Sequence, residues 1–206
     1  MYTVVIPTGS ITNLAACLLA LDERRVIAIR EKPFCFARAC NAGIRAAEGD
    51  DVVIMNDDAT LTNPRGLLEL EKLSHDHPEF GIISATIDGA CIHTQQHPRP
   101  GPLFWQATFP TLAFICVYIP RTTFDTLGYL DDRFIGYGWE DDDFCRRNRN
   151  AGLKQAVCGT CTAKHHDLPS CYRSTRATEW QALERLNRQL FIQKWAIRPG
   201  ADPRAG

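Results

Sequence analysis

The chain lacks most of the features that mark a protein for a special environment. Its 206 residues contain no Asn-x-Ser/Thr sequon, no internal repeat and no low-complexity stretch. The longest apolar run, residues 112–119, is far short of the roughly 20 residues that cross a bilayer as a helix. Residues 1–8 have neither the basic start nor the long apolar stretch of a secretion signal. Neither a membrane span nor a leader is expected. An excess of one charge is also missing. With 23 Lys and Arg against 24 Asp and Glu, the formal net charge is −1, which gives no overall attraction to a nucleic-acid backbone or an anionic membrane. General nucleic-acid binding is not expected.

What is present describes an ordinary globular chain. A 45% hydrophobic content at this length can bury one sizeable core. Nine cysteines are an odd number in a chain long enough to fold without disulfides, and with no sequon they imply free thiols in a reducing cytoplasm.

Short β-branched runs at residues 2–6, 25–29, 51–55 and 82–85 alternate with helical periodicity at 13–21, 36–47 and 64–74. That rhythm predicts an α/β domain with a mostly parallel central sheet and helices on both faces, whose ligands bind beyond the carboxyl ends of the strands. Residues 86–111, with four prolines and two histidines, break the rhythm and read as a lid-like loop. A buried strand at 112–119 and helices at 121–127, 140–150 and 179–195 follow. In the last helix Trp180, Leu183, Leu190 and Phe191 form one stripe, expected to dock on the core. The tail from Pro199 is expected to be disordered, and His93 and His97 to be solvated.

Four stretches could carry chemistry. Asn56-Asp57-Asp58 follows the third strand, where carboxylate oxygens suit Mg²⁺ or Mn²⁺ bridging nucleotide phosphates. Gly136-Tyr137-Gly138-Trp139-Glu140-Asp141-Asp142-Asp143 opens a helix. Four adjacent carboxylates repel one another by more than a helix terminus returns, about 0.3–1 kcal/mol each, so some must serve another purpose; beside an aromatic platform one could deprotonate a hydroxyl. Cys158-x-x-Cys161 with His165, His166 and Cys171 fits either buried thiols with one histidine serving a metal site elsewhere, wholly structural histidines, or a zinc knuckle. Finally, Arg38 in the first turn of the 36–47 helix suits a diphosphate.

In chain order these pieces resemble the GT-A glycosyltransferases of the family 2 kind, with particular similarity to the β1,4-galactosyltransferase Glu-Asp-Asp pattern. The matching stretches are Val4-Val5-Ile6-Pro7-Thr8, Phe36-Ala37-Arg38-Ala39 with Asn41 and Gly43, Asn56-Asp57-Asp58, residues 124–134, Gly138 to Asp143, His165, and the closing Asn187, Lys194 and Trp195. The resemblance implies one GT-A domain over 1–198, with a nucleotide-sugar half at about 1–85 and an acceptor half at about 86–198. It further implies a metal-dependent, inverting transfer of a sugar from a nucleoside-diphosphate donor, foremost a UDP-sugar, to the hydroxyl of a glycan, protein or small molecule. Pro7, Thr8, Glu31, Phe36, Arg38 and Asp57 would line the donor pocket, Asp58 and His165 would hold Mn²⁺ or Mg²⁺, and Asp141 would be the base. Glu140, Asp142, Trp139 and Tyr137 would position the acceptor. Glu31 stands near where such enzymes keep a base-holding acid, and Asn56 replaces the first acid of the Asp-x-Asp motif. The competing expectations are a non-catalytic sugar- or nucleotide-binding module of the same fold and a zinc-stabilised interaction domain.

Overall fold

A computed structural model describes residues 1–22, 25–166 and 177–204. The order is β1 (Tyr2–Thr8), α1 (Ile11–Leu19), β2 (Val26–Arg30), α2 (Phe36–Ala46), β3 (Asp51–Met55), β4 (Ala59–Leu61), α3 (Gly66–Asp76) and β5 (Phe80–Gly89), then β6 (Phe104–Gln106), β7 (Cys116–Ile119), α4 (Arg121–Leu127), α5 (Glu140–Asn150), β8 (Lys154–His165) and α6 (Ala177–Lys194). The first half thus alternates as the periodicity predicts, because β-branched runs suit a pleated surface and the helical stretches bury one stripe.

The sheet runs β2-β1-β3-β7-β5-β8-β4, with β6 also paired to β8. It is mixed but mostly parallel, as expected: β1, β2, β3, β5 and β8 share one direction, and β4, β6 and β7 run against them. Parallel pairing joins β2, β1 and β3, and again β5 and β8. β7 runs antiparallel to both β3 and β5, and β4 and β6 run antiparallel to β8. A short strand returning between two parallel groups leaves no mark on local periodicity.

Helices cover both faces. One core gathers Cys17 of α1 and Leu67, Leu70 and Leu73 of α3 under Val4, Ile6, Val53 and Met55. The other gathers Phe36, Cys40 and Ile44 of α2, Phe124 of α4 and Phe144 of α5 on Val5, Val52, Ile54 and Val117. Because side chains alternate along a strand, neighbouring residues of β1 and β3 feed opposite cores and both strands read as continuous apolar runs. Gly43 is required where α2 crosses β1: a Cβ there would lie 2.3 Å from Val5 Cγ1. A third small cluster, Phe134, Trp139 and Phe191, docks α6 onto the loop before α5, as the apolar stripe anticipates.

Three expectations change. The 86–111 stretch holds the end of β5, a 3₁₀ turn at Thr94–Gln96 and β6. Gln96 is wholly buried, donating to Ser84 Oγ and the Ala113 carbonyl and accepting from Ala113 N–H, and Trp105 Nε1 donates to the Gln95 carbonyl. His93 is buried against Phe109 and His97 bonds to the Cys91 carbonyl, so neither is simply solvated. The strand expected at 112–119 is confined to its last four residues. Among the described residues no helix is long and apolar enough to cross a membrane.

Candidate active site

Three groups of residues gather where the carboxyl ends of β1 to β3 meet the end of β8. In the turn after β3, Asp57 is tied to the loop that follows β1. Its Oδ2 accepts from Thr8 Oγ1 at 2.7 Å and from the Gly9 and Ser10 N–H groups at 3.1 Å each. Burial pushes the Asp57 carboxyl up, opposed by these three donors. The next residue faces elsewhere. The antiparallel register sets Ala59 opposite His165, which brings Asp58 Oδ1 to 3.1 Å from His165 Nε2 across 107 positions of sequence.

The other ring nitrogen, His165 Nδ1, bonds to the Ala90 carbonyl. A carbonyl only accepts, so Nδ1 carries the proton and a neutral ring turns its Nε2 lone pair toward a carboxylate oxygen. That juxtaposition requires a proton between the two groups, on the ring or on the carboxyl, or a cation shared by them. Donors each about 2.1 Å from one ion and at right angles stand about 3.0 Å apart, so the pair fits adjacent ligand positions on one divalent ion. A backbone carbonyl fixing the tautomer is a recurrent support for a metal-ligating histidine. His166 points the other way, its Nε2 2.8 Å from Thr60 Oγ1.

Beside this pair lie the residues expected to line a donor pocket. Pro7 and Thr8 end β1 opposite Ile29 and Arg30 of β2. Just beyond β2, Glu31 Oε1 accepts from Arg38 Nε at 2.7 Å, which holds the guanidinium at the first turn of α2. Phe36 is buried, packs edge-on to Tyr137 at 5.6 Å, and donates its N–H to the Gly136 carbonyl at 2.8 Å. That contact laces the start of α2 to the loop carrying the acids.

In that loop Gly136 and Gly138 have positive φ, and Trp139 itself is left-handed at φ 75°, a conformation a side chain with a Cβ seldom adopts. Asn187 of α6 braces it, donating to the Ile135 and Gly138 carbonyls and accepting from Ile135 N–H. Trp139 Nε1 donates to Glu184 Oε1 at 2.9 Å.

The four acids have four different environments. Asp143, fully buried, accepts from Arg147 Nε, Lys194 Nζ and Trp195 Nε1 and so anchors α6. Asp142 is 3% exposed and receives both arms of the Arg204 guanidinium, Nε to Oδ1 at 2.9 Å and Nη2 to Oδ2 at 3.1 Å. Glu140 is 1% exposed, and its Oε2 has no hydrogen-bond partner among the described residues; burial and its acidic neighbours hold its carboxyl well above the usual range. Asp141 is pushed up to about 7, by burial first and then by the Asp142 charge, with Arg204 pulling it back.

The turn after β5 links the metal-type pair to these acids. Ala90 holds His165, and the Cys91 thiol one residue on is pushed up by burial first, with the Asp141 charge adding to it. The structure therefore brings Asp58 and His165, the Glu31–Arg38 pair, and the Trp139–Asp142 platform to one side of the domain. Two contributors carried no sequence signal. Glu184 lies on a helix read only for its apolar stripe, and Arg204 lies in the tail, where no ordered contact was expected.

The zinc-knuckle expectation gains nothing. Among the described residues no three His, Cys, Asp or Glu side chains are grouped to hold a metal. Cys158 Sγ pairs with Thr160 Oγ1, and Cys161 is buried against Gly66. Cys171 lies outside the described residues.

No protein-family model matches the chain. An uncharacterised protein of Sinorhizobium fredii, y4gI, is 25% identical over 88% of the chain, which spans only 22% of that relative's length. Among solved structures, GalNAc-T7 with UDP, GalNAc and Mn²⁺ is similar at TM-score 0.55 and 15% identity, over 79% of this chain and 37% of that one. The catalytic domain of Drosophila β1,4-galactosyltransferase 7 with xylobiose matches at 0.52 and 18%, over 82% and 66%. Staphylococcus aureus TarS with UDP-GlcNAc matches at 0.58 and 13%, over 93% and 66%. The chain has the GT-A fold shared by these glycosyltransferases.

Proposed function

We propose that the chain is a metal-dependent glycosyltransferase that moves a sugar from a nucleoside-diphosphate donor, foremost a UDP-sugar, to an acceptor hydroxyl with inversion. The observation that carries this reading is the Asp58–His165 pair, a carboxylate oxygen and an imidazole nitrogen 3.1 Å apart with the far ring nitrogen fixed on a backbone carbonyl. Those two side chains would hold Mn²⁺ or Mg²⁺, the imidazole favouring Mn²⁺. The bound ion would neutralise the departing diphosphate.

Every other part of the reaction falls to the chain itself. Pro7, Thr8, Glu31, Phe36 and Asp57 enclose the nucleoside, with Asp57 holding the loop after β1 in place. Arg38 places a guanidinium near the diphosphate. Trp139, Tyr137, Glu140 and Asp142 position the acceptor, and Asp141 takes the hydroxyl proton as the oxygen attacks the anomeric carbon from the face opposite the leaving group. Residues at about 1–85 thus serve the donor, and those at about 86–198 the acceptor and catalysis, with His165 reaching back to the metal site. A carboxyl raised to about 7 is matched to that proton transfer near neutral pH.

The test is a screen of nucleotide sugars for hydrolysis with and without Mn²⁺. Cleavage of a UDP-sugar that needs the metal and is lost in Asp58→Ala is the expected result. Donor binding with no turnover of any donor would make the chain a binding module instead.

A further inference from the structure

The acceptor subsite just described already has an occupant drawn from the chain itself. Arg204 lays its guanidinium on Asp142 through two parallel hydrogen bonds, 2.9 and 3.1 Å, with its Cζ 4.4 Å from the centre of the Trp139 ring. The charges of Asp141 and Glu184 also act on it. A planar cation gripped edge-on by a carboxylate and faced by an indole is the arrangement in which guanidinium outperforms any neutral donor.

Few polar contacts tie down the segment that carries the occupant, although Pro203 beside it is buried. Among the described residues, the side-chain hydrogen bonds that residues 199–204 make to the rest of the chain are those of Arg204 to Asp142. The remaining bonds of the segment are turns, Ala201 N–H to the Arg198 carbonyl and Arg204 N–H to Asp202 Oδ1. The subsite, by contrast, is built into the core. With Arg204 in place Asp142 is 3% exposed and Trp139 4%, and among the described residues Glu140, beside Asp142, keeps a buried oxygen with no donor. A neutral acceptor that displaced Arg204 would leave the Asp142 carboxylate buried and unpaired, a strongly unfavourable state. An acceptor that brings its own cation would leave the electrostatics unchanged.

We propose that the Trp139–Asp142 platform is an organic-cation subsite, filled in the resting chain by Arg204, and that the acceptor presents a guanidinium or similar cation that takes its place. The proposal rests on the glycosyltransferase reading for the word acceptor, but the binding site itself can be tested without turnover. The probe is ethylguanidinium, with ethylurea as a neutral control of the same shape, titrated calorimetrically into the full chain and into Arg204→Gln. Ethylguanidinium should bind Arg204→Gln at least tenfold more tightly than the unaltered chain, Asp142→Asn added to Arg204→Gln should abolish the binding, and ethylurea should bind none of them. In the unaltered chain the Nε–H resonance of Arg204 should move to the position of a solvated arginine as the probe is added, a measurement that stands even if Arg204→Gln fails to fold. Equal affinity in both chains, binding that survives Asp142→Asn, or an Arg204 resonance that stays fixed at saturating probe would overturn the proposal and make Arg204 a permanent brace. UDP with Mn²⁺, titrated into the same samples, reports the Asp58–His165 side separately. Donor binding without cation binding refutes only the cation subsite, and the reverse refutes only the transferase reading.

Discussion

Asp141→Asn keeps the shape of the side chain and removes its basicity. Burial among acids lifts the Asp141 carboxyl to about 7, about three units above an ordinary aspartate. The carboxylate is then about a thousandfold stronger as a base, while about half of it remains ionised at neutral pH. For the unaltered enzyme this predicts a kcat/KM that climbs through about pH 7. With about 10% of the base ionised at pH 6 and about 90% at pH 8, the span is roughly ninefold. In Asp141→Asn we expect turnover to fall by about 10²-fold or more, about 2.7 kcal/mol of transition-state stabilisation. Donor affinity should be unchanged and the limb near pH 7 should disappear. The same carboxyl makes an independent prediction for folding. Its pKa is higher folded than unfolded, so its contribution to stability is complete below about pH 4 and is lost as pH rises through about 7. Melting temperature measured from pH 5 to 8 should therefore fall less in Asp141→Asn than in the unaltered chain. Near-normal turnover in the variant, or a pH limb that survives the substitution, would refute the assignment of the base.

Three further outcomes are expected. His165→Ala should raise the metal concentration for half-maximal activity several-fold, while His166→Ala, which loses only the Thr60 contact, should leave it unchanged and cost about 1 kcal/mol of stability; the opposite pattern in a metal titration would put the wrong histidine at the site. Asp57→Ala strands three donors of the loop after β1 and should cost about 2 kcal/mol in denaturant unfolding, since relief of a buried carboxyl offsets part of the loss; a cost below about 0.5 kcal/mol would contradict the clamp. Gly43→Ala forces a methyl to 2.3 Å from Val5 Cγ1 and should destabilise by about 1–3 kcal/mol, visible as a lower melting temperature; an unchanged melt would mean α2 can move off β1.

The alternation from β1 to α3 was legible because each element there buries one face, so its period is written in its own residues. β4 was not, since three residues at Ala59–Leu61 are too few to show a period and owe their pairing to β8. Yet β4 sets the register that joins Asp58 to His165. The pairing itself was anticipated only through the order of motifs, because nothing local to either residue encodes a partner 107 positions away. Asp57 and Asp143 looked like their acidic neighbours in sequence. Their tasks, holding the loop after β1 and anchoring α6, became visible only once Thr8, Lys194 and Trp195 were in place beside them. Arg204 was illegible because a single arginine in a Pro- and Gly-rich tail has no pattern, and its position depends wholly on the platform it meets.

The free thiols have a practical consequence. Seven of the eight described cysteines, Cys17, Cys35, Cys40, Cys116, Cys145, Cys158 and Cys161, are buried, and Cys91 alone is partly exposed. Burial raises the thiols of Cys17, Cys35, Cys40 and Cys145, which suppresses the thiolate that reacts with alkylating agents. Burial, and then the Asp141 charge, raise the Cys91 thiol as well, but it is the partly exposed one and adjoins the turn that holds His165. A short pulse of iodoacetamide, resolved by peptide mass, therefore separates two kinds of motion in one sample: label on Cys91 records exposure of the turn after β5, and label on the other seven records opening of the two layers that sandwich the sheet.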